Sequence, residues 1–225
     1  MNSHVDGALV IFDLDGTLID SAPDLIASMT YALNGLEVEV PSVAAMTSYI
    51  GNGASRLVHR CLTNSLDGIA HDKLFACASR KFFDHYEAHV CAASAIYPHV
   101  ISTLTELKDR GYQLACVTNK PARFTEPLLA QIGLEEFFSI TLSGDSLDTK
   151  KPAPDQLLQA AKWCDTSSHR CTMVGDTVTD IEAAQRANMK VICVSYGYGS
   201  RPDLIASKPS AIVDSIDQII DIIIG

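Results

Sequence analysis

The sequence predicts an α/β fold: a doubly wound, mostly parallel sheet with a helical lobe inserted after its first strand. Three observations carry this expectation. Short, near-continuous apolar runs recur along the chain, at Ala8–Phe12, Gln113–Val117, Ser139–Leu142, Cys171–Val174, Lys190–Ser195 and Ala211–Val213. Such runs suit strands covered on both faces. Between the later runs lie helical periodicities, and alternating strand and helix builds a parallel sheet. From Ser21 to Ala95, however, there are helical patterns and no convincing strand, whereas a crossover needs only about a dozen residues.

In chain order, Ala8–Phe12 opens the core and stops at Asp13. Pro23–Asn34, Ala54–Leu62 and His71–His89 have helical spacing and fill the insertion. Val100–Arg110 places Ile101, Leu104 and Leu107 on one face and stops at Gly111, a residue suited to a helix C-terminus. Phe124–Ile132 ends likewise at Gly133. Pro154–Trp163 begins on a proline, and Asp180–Ala187 leads into the run at Lys190. The expected division is a core of residues 1–20 and 96–225 and an inserted lobe of residues 21–95.

The bulk properties narrow the function. The 225 residues are 47% hydrophobic and carry a net charge of -10, which supports one sizeable core plus a smaller lobe and argues against a nucleic-acid surface. A small anionic substrate stays compatible, because one local cation can reverse the field in a cleft. No apolar run approaches the roughly 18 residues of a membrane span. The start, MNSHVDG, lacks the basic region of a signal peptide. The seven cysteines are dispersed, without a CxxC pair, and read as reduced thiols. The expectation is a soluble cytoplasmic protein, a monomer or small homo-oligomer, with no nucleic-acid or membrane partner.

The chemistry lies at the strand ends. In ALVIFDLDGTLID, Asp13 and Asp15 alternate with Leu14 and so share one side of an extended chain. They stand at the carboxyl edge, where open α/β sheets bind ligands. Two such close carboxylates need a shared proton, a lysine or a hard divalent cation between them. Alone, the pair reads as the start of a turn. Three further strand ends change that. CVTNKP offers Thr118, Asn119 and Lys120, a hydroxyl and backbone N–H groups able to hold phosphate oxygens. DTKKPAPD offers Lys150 and Lys151. TMVGDTVTDIEAAQ offers Asp176, with Asp180 four residues on as a candidate helix N-cap. Any one of these is ordinary; all four in order are not. His85 and His89, four apart on a helix, lack a third ligand nearby and read as a solvated face. Trp163 and the tyrosines of SYGYG read as packing or loop residues.

With these residues on the page, the chain resembles the haloacid dehalogenase superfamily of phosphatases. DLDGT, VTN, KKP and GDTVTD look like its four motifs in order, and the helical insertion looks like its cap. The resemblance implies a Rossmann-like core and a Mg²⁺-dependent hydrolysis of a small phosphomonoester. It implies Asp13 as nucleophile, Asp15 as acid and then base, and Thr118, the Asn119 backbone and Lys151 around the phosphoryl group. Lys151 is chosen over Lys150 because it directly precedes the proline. Mg²⁺ would be held by Asp13, the Asp15 carbonyl and Asp176, with Asp180 assisting from behind. The glycine loop Gly51–Gly53 would face the site, with Arg56 pairing to a substrate carboxylate. The expected hinges lie near Ser21 and Ala95. Asp15 favours phosphate esters over carbon–halogen bonds. Other sugar-phosphate phosphatases or mutases, and a phosphoacceptor signalling domain of a different class, are the alternatives. In the signalling class the acceptor follows the acidic pair on a later strand and no cap interrupts the fold.

Overall fold

The computed structural model describes residues 8–225; the reading of MNSHVDG and the first seven residues of the expected core lie outside them. In chain order the elements are β1 (Leu9–Phe12), β2 (Ile19–Asp20), α1 (Ala22–Leu33), α2 (Val43–Ser48), α3 (Ala54–Thr63), α4 (Asp72–Ala88), β3 (Ala95–Ile96), α5 (Val100–Asp109) and β4 (Gln113–Val117). They continue with α6 (Ala122–Ile132), β5 (Ile140–Leu142), α7 (Asp155–Trp163), β6 (Cys171–Gly175), α8 (Val178–Arg186), β7 (Lys190–Val194), α9 (Arg201–Ala206), β8 (Ala211–Val213) and α10 (Ile219–Ile224).

Six strands form one sheet in the order β5-β4-β1-β6-β7-β8, every pair parallel. The chain winds outward from β1 in one direction, returns, and winds outward in the other, so β1 and β6 flank the point where the order reverses. Ligands bind outside the carboxyl ends of the strands at such a point. The apolar runs are continuous because both faces are covered. Val10 and Phe12 of β1 join a core with Val100, Leu104, Phe124 and Ile219. Leu9 and Ile11 point the other way, into a core with Leu157, Ala160, Ile181 and Leu204. Alternation along a four-residue strand thus divides it between two helix layers.

The insertion is helical, as expected: α1 to α4 intervene between β2 and β3, and α1 packs along α4 through Met29, Leu33, Phe82 and Tyr86. Its two connections to the sheet carry a feature missing from the expectation. Ile19 pairs with Ile96 and Asp20 with Ala95 in a two-residue antiparallel ribbon. Asp24, buried at the start of α1, accepts hydrogen bonds from the backbone N–H groups of Ala93 and Ser94 and from the Ser94 hydroxyl at 2.6–3.0 Å. Trp163, read as a packing or loop residue, is 65% exposed at the end of α7. The His85 and His89 rings stack at 4.2 Å, with His85 Nδ1 on the Ser28 hydroxyl. Among the described residues no helix is long and apolar enough to cross a membrane.

Candidate active site

The site forms where the loops after β1, β4 and β6 meet, with the insertion above them. β1 ends with the Asp13 N–H donating to Val174 O at 2.9 Å, which ties the first carboxylate to β6. The chain then turns at Gly16, whose φ is +89°. A Cβ at this glycine would stand 2.3 Å from Asp176 Oδ2. Both the backbone sign and the closeness of Asp176 therefore require glycine.

Asp13, Asp176 and Asp180 are buried, and a carboxylate oxygen from each lies within 4.8 Å of the others. Lys151, also buried, places Nζ 2.8 Å from Asp13 Oδ1 and 2.7 Å from Asp180 Oδ1. Three carboxylates and one ammonium leave an excess of two negative charges in a dry setting. Asp13 responds with a pKa pushed up to about 7: burial is the largest cause, Lys151 opposes it and Asp180 adds to it. Asp176 is raised as well, by burial first and then by Asp180 and Asp13. This oxygen-rich, doubly negative cluster fits a hard divalent cation in donor type and in charge.

Each member is oriented. The Thr17 hydroxyl donates to Asp176 Oδ1 at 2.9 Å, and the Tyr198 N–H donates to Asp176 Oδ2 at 2.8 Å. Asp180 Oδ2 accepts from the Thr177 N–H at 3.0 Å and from its hydroxyl at 2.7 Å, a capping box in which Thr177 is the N-cap and Asp180 the third helical residue. The N-cap role expected for Asp180 therefore belongs to Thr177. Asp180 instead reaches inward to Lys151, as close to the cluster as Asp176 is.

Asp15 stands apart from the three. It accepts a 2.5 Å bond from the Ser21 hydroxyl, and its two oxygens lie 3.1 and 3.2 Å from Lys120 Nζ. Thr118 Oγ1 accepts from the Lys120 N–H at 3.2 Å and keeps its own hydrogen to donate. Asn119 Nδ2 braces two loops, donating to Lys151 O at 2.9 Å and to Gly51 O in the insertion at 3.0 Å. Together these residues border a cavity of about 430 Å³ that Asp13, Asp15, Thr118, Asn119 and Lys120 share with Gly51, Gly53 and Tyr86 from the insertion.

Lys150 is exposed beside this assembly and Lys151 is buried within it, so the lysine directly before the proline is the interior one. Arg56 corrects the expectation. Its guanidinium donates to Leu66 O at 2.7 Å and Gly68 O at 3.2 Å, and lies 3.6 Å from Asp67. It is absent from the residues that border the cavity, its guanidinium being held by carbonyls of the loop after α3. Three contributors were given no role. Lys120 was visible as the next residue of the same strand end, but a long side chain gives no sign in sequence of which way it runs. Tyr86 carries no signal among the aromatics of α4. Tyr198 lies in SYGYG, and its hydroxyl accepts from the Ser21 and Ala22 N–H groups while donating to Asp20. It thus links the start of α1 to the Asp176 loop.

Comparison with known proteins agrees with this geometry. The haloacid dehalogenase-like hydrolase family matches residues 10–194. A phosphoglycolate phosphatase of Nitrosospira multiformis is 41% identical over 208 residues, covering 92% of this chain and 91% of the relative. The phosphoglycolate phosphatase of Escherichia coli is 35% identical over 237 residues, 98% and 94% of the two chains. A crystal structure from Haemophilus somnus, described as a predicted phosphoglycolate phosphatase, superposes with a TM-score of 0.88 at 35% identity over 96% and 97% of the two chains.

Proposed function

The chain belongs to the haloacid dehalogenase-like hydrolase family, and we propose that it is a Mg²⁺-dependent phosphatase acting through an aspartyl phosphate, with 2-phosphoglycolate as substrate. The observation that carries this reading is the cluster of Asp13, Asp176 and Asp180, their carboxylate oxygens within 4.8 Å of one another, bonded through Asp13 and Asp180 to Lys151, with Asp13 bordering the cavity. The substrate is inferred from the relatives' names, phosphoglycolate phosphatase.

An Asp13 oxygen attacks phosphorus, and the bond from phosphorus to the alkoxide oxygen breaks. Asp15 delivers a proton to the departing alkoxide, then takes one from the water that hydrolyses the aspartyl phosphate. Lys151, the Thr118 hydroxyl and the Asn119 N–H hold the equatorial oxygens, whose charge must be met during transfer. Asp13, the Asp15 carbonyl and Asp176 would hold Mg²⁺, with Asp180 beside them, and the bound cation would supply screening of the repulsion between Asp13 and the phosphate dianion. Residues 21–95 act as a cap hinged on the ribbon of β2 and β3, and its closure keeps stray water from the intermediate. The enzyme works in the cytoplasm.

Phosphate release with Mg²⁺ from 2-phosphoglycolate, glycerol phosphates, hexose phosphates and nucleoside monophosphates tests this. We expect a preference for phosphoglycolate of roughly tenfold or more in kcat/KM, about 1.4 kcal/mol, abolished in Asp13→Asn. Equal rates on hexose phosphates would keep the class and reject the substrate. No release from any ester would reject the phosphatase.

A further inference from the structure

Leu25, Ile50, Leu57 and Phe124 line the cavity, and among the residues that border it Lys120 is the single cation. Lys120 is 5% exposed. Beyond its contact with Asp15, Nζ donates to the Tyr86 hydroxyl at 2.6 Å and lies 4.7 Å from that ring's centroid. Asp15, 3.1 Å from Nζ, pairs with this side chain as a buried salt bridge.

Counting donors shows what is unspent. An ammonium carries three N–H groups. One reaches Tyr86. The Asp15 oxygens, nearly equidistant from Nζ, are met by one forked N–H, and a third remains. The Tyr86 hydroxyl accepts from Lys120, and its own hydrogen has no acceptor among the described residues. Tyr86 is 1% exposed, so water does not serve it freely. Two hydrogen-bond donors, one from the core and one from α4 of the insertion, thus remain available at a cavity that Leu25, Ile50, Leu57 and Phe124 also line.

We propose that Lys120 and Tyr86 together form the receptor for a carboxylate on the substrate, so that the site takes phosphate esters of 2-hydroxy carboxylic acids. This rests on the phosphatase reading above and assigns the residues that would set its specificity. Arg56 is unsuited, being committed to Leu66 and Gly68. Asp15 keeps the Ser21 hydroxyl when Lys120 turns one N–H to the ligand. Because Tyr86 comes from the insertion and Lys120 from the core, a bound carboxylate draws the two lobes together.

The test compares 2-phosphoglycolate with 2-hydroxyethyl phosphate, of equal length and a neutral tail, in the wild type, Lys120→Met and Tyr86→Phe. A charge-assisted bond to a carboxylate predicts a wild-type preference of about 30-fold in kcat/KM, and Lys120→Met brings that ratio to near one. Tyr86→Phe narrows the ratio by roughly fivefold through KM. An equal fall on both esters would show that Lys120 serves Asp15 alone and would overturn the receptor. A faster rate on ethylene glycol bisphosphate than on phosphoglycolate would overturn the carboxylate. Calorimetric binding to the Asp13→Asn protein separates this inference from the one it rests on. If that protein binds phosphoglycolate more tightly than hydroxyethyl phosphate, and loses the difference on adding Lys120→Met, the receptor stands even where no turnover is seen. If it binds the two alike while the wild type hydrolyses both, the receptor fails and the phosphatase reading survives.

Discussion

At the scale of single residues, Lys151 holds the site together. It is the one cation bonded to two of the three clustered carboxylates, so Lys151→Met leaves buried negative charge unpaired. Removing one partner of a buried ion pair costs about 3–5 kcal/mol; urea unfolding in EDTA should show a loss of that order, partly restored by Mg²⁺. Phosphate release should fall by about 10²-fold or more. An unchanged unfolding midpoint would mean that the carboxylates hold protons in its place. Asp13 and Asp176 were legible because each directly follows a strand, β1 and β6, where the backbone alone fixes the side chain's position; Lys151, well beyond β5, could be picked only through the proline that follows it. Arg56 and Lys120 were not. Both have long side chains whose direction is set by their partners: Arg56 turns to the loop after α3, at Leu66 and Gly68, and Lys120 to Asp15, 105 positions away.

At the scale of elements, the turn after β1 is the most constrained segment. Gly16 combines a left-handed φ with a close approach to Asp176 and Tyr198. Gly16→Ala should therefore lower stability by about 1–3 kcal/mol through backbone strain and displace Asp176 as well. The check is paired: a lower melting temperature together with a weaker Mg²⁺ affinity by calorimetry. Lost stability with unaltered affinity would show that the turn yields without moving the carboxylate. The six core strands were legible because double burial makes their runs nearly continuous. α2 was not: of its six residues only Met46 is buried, too few for a periodic signal. The ribbon of β2 and β3 escaped for the same reason, since two residues have no period. The start of α8 was misjudged because an aspartate suits either the N-cap or the third position of a capping box, and only the Thr177 hydroxyl decides between them.

At the scale of the whole molecule, core and insertion were legible as separate patterns, but their mutual seating was not, because it depends on bonds between loops. Asn119 to Gly51, Asn52 to Thr179 at 3.0 Å, and Lys120 to Tyr86 tie the two together. The same closure dries the carboxylate cluster and couples its charge to stability. An aspartate ionises near 3.8 in the unfolded chain, whereas burial, opposed by Lys151 and aided by Asp180, lifts Asp13 in the folded, metal-free protein to about 7. Below 3.8 both states hold the proton and the stability from this group is fully present. Between 3.8 and about 7 the unfolded chain has released its proton and the folded one retains it, so stability falls as pH rises. Asp176 acts in the same direction. A divalent cation replaces those protons. Thermal unfolding in EDTA should therefore show a melting temperature that drops from about pH 5 to about pH 8, and Mg²⁺ should raise it far more at the upper pH than at the lower, by mass action on the folded state. The net charge of -10 adds a general repulsion with the same sign, so Asp13→Asn is the control. It removes one titrating carboxylate and should flatten the EDTA profile relative to the wild type. Parallel profiles for the two proteins would place the pH dependence in the surface charge and not in the cluster.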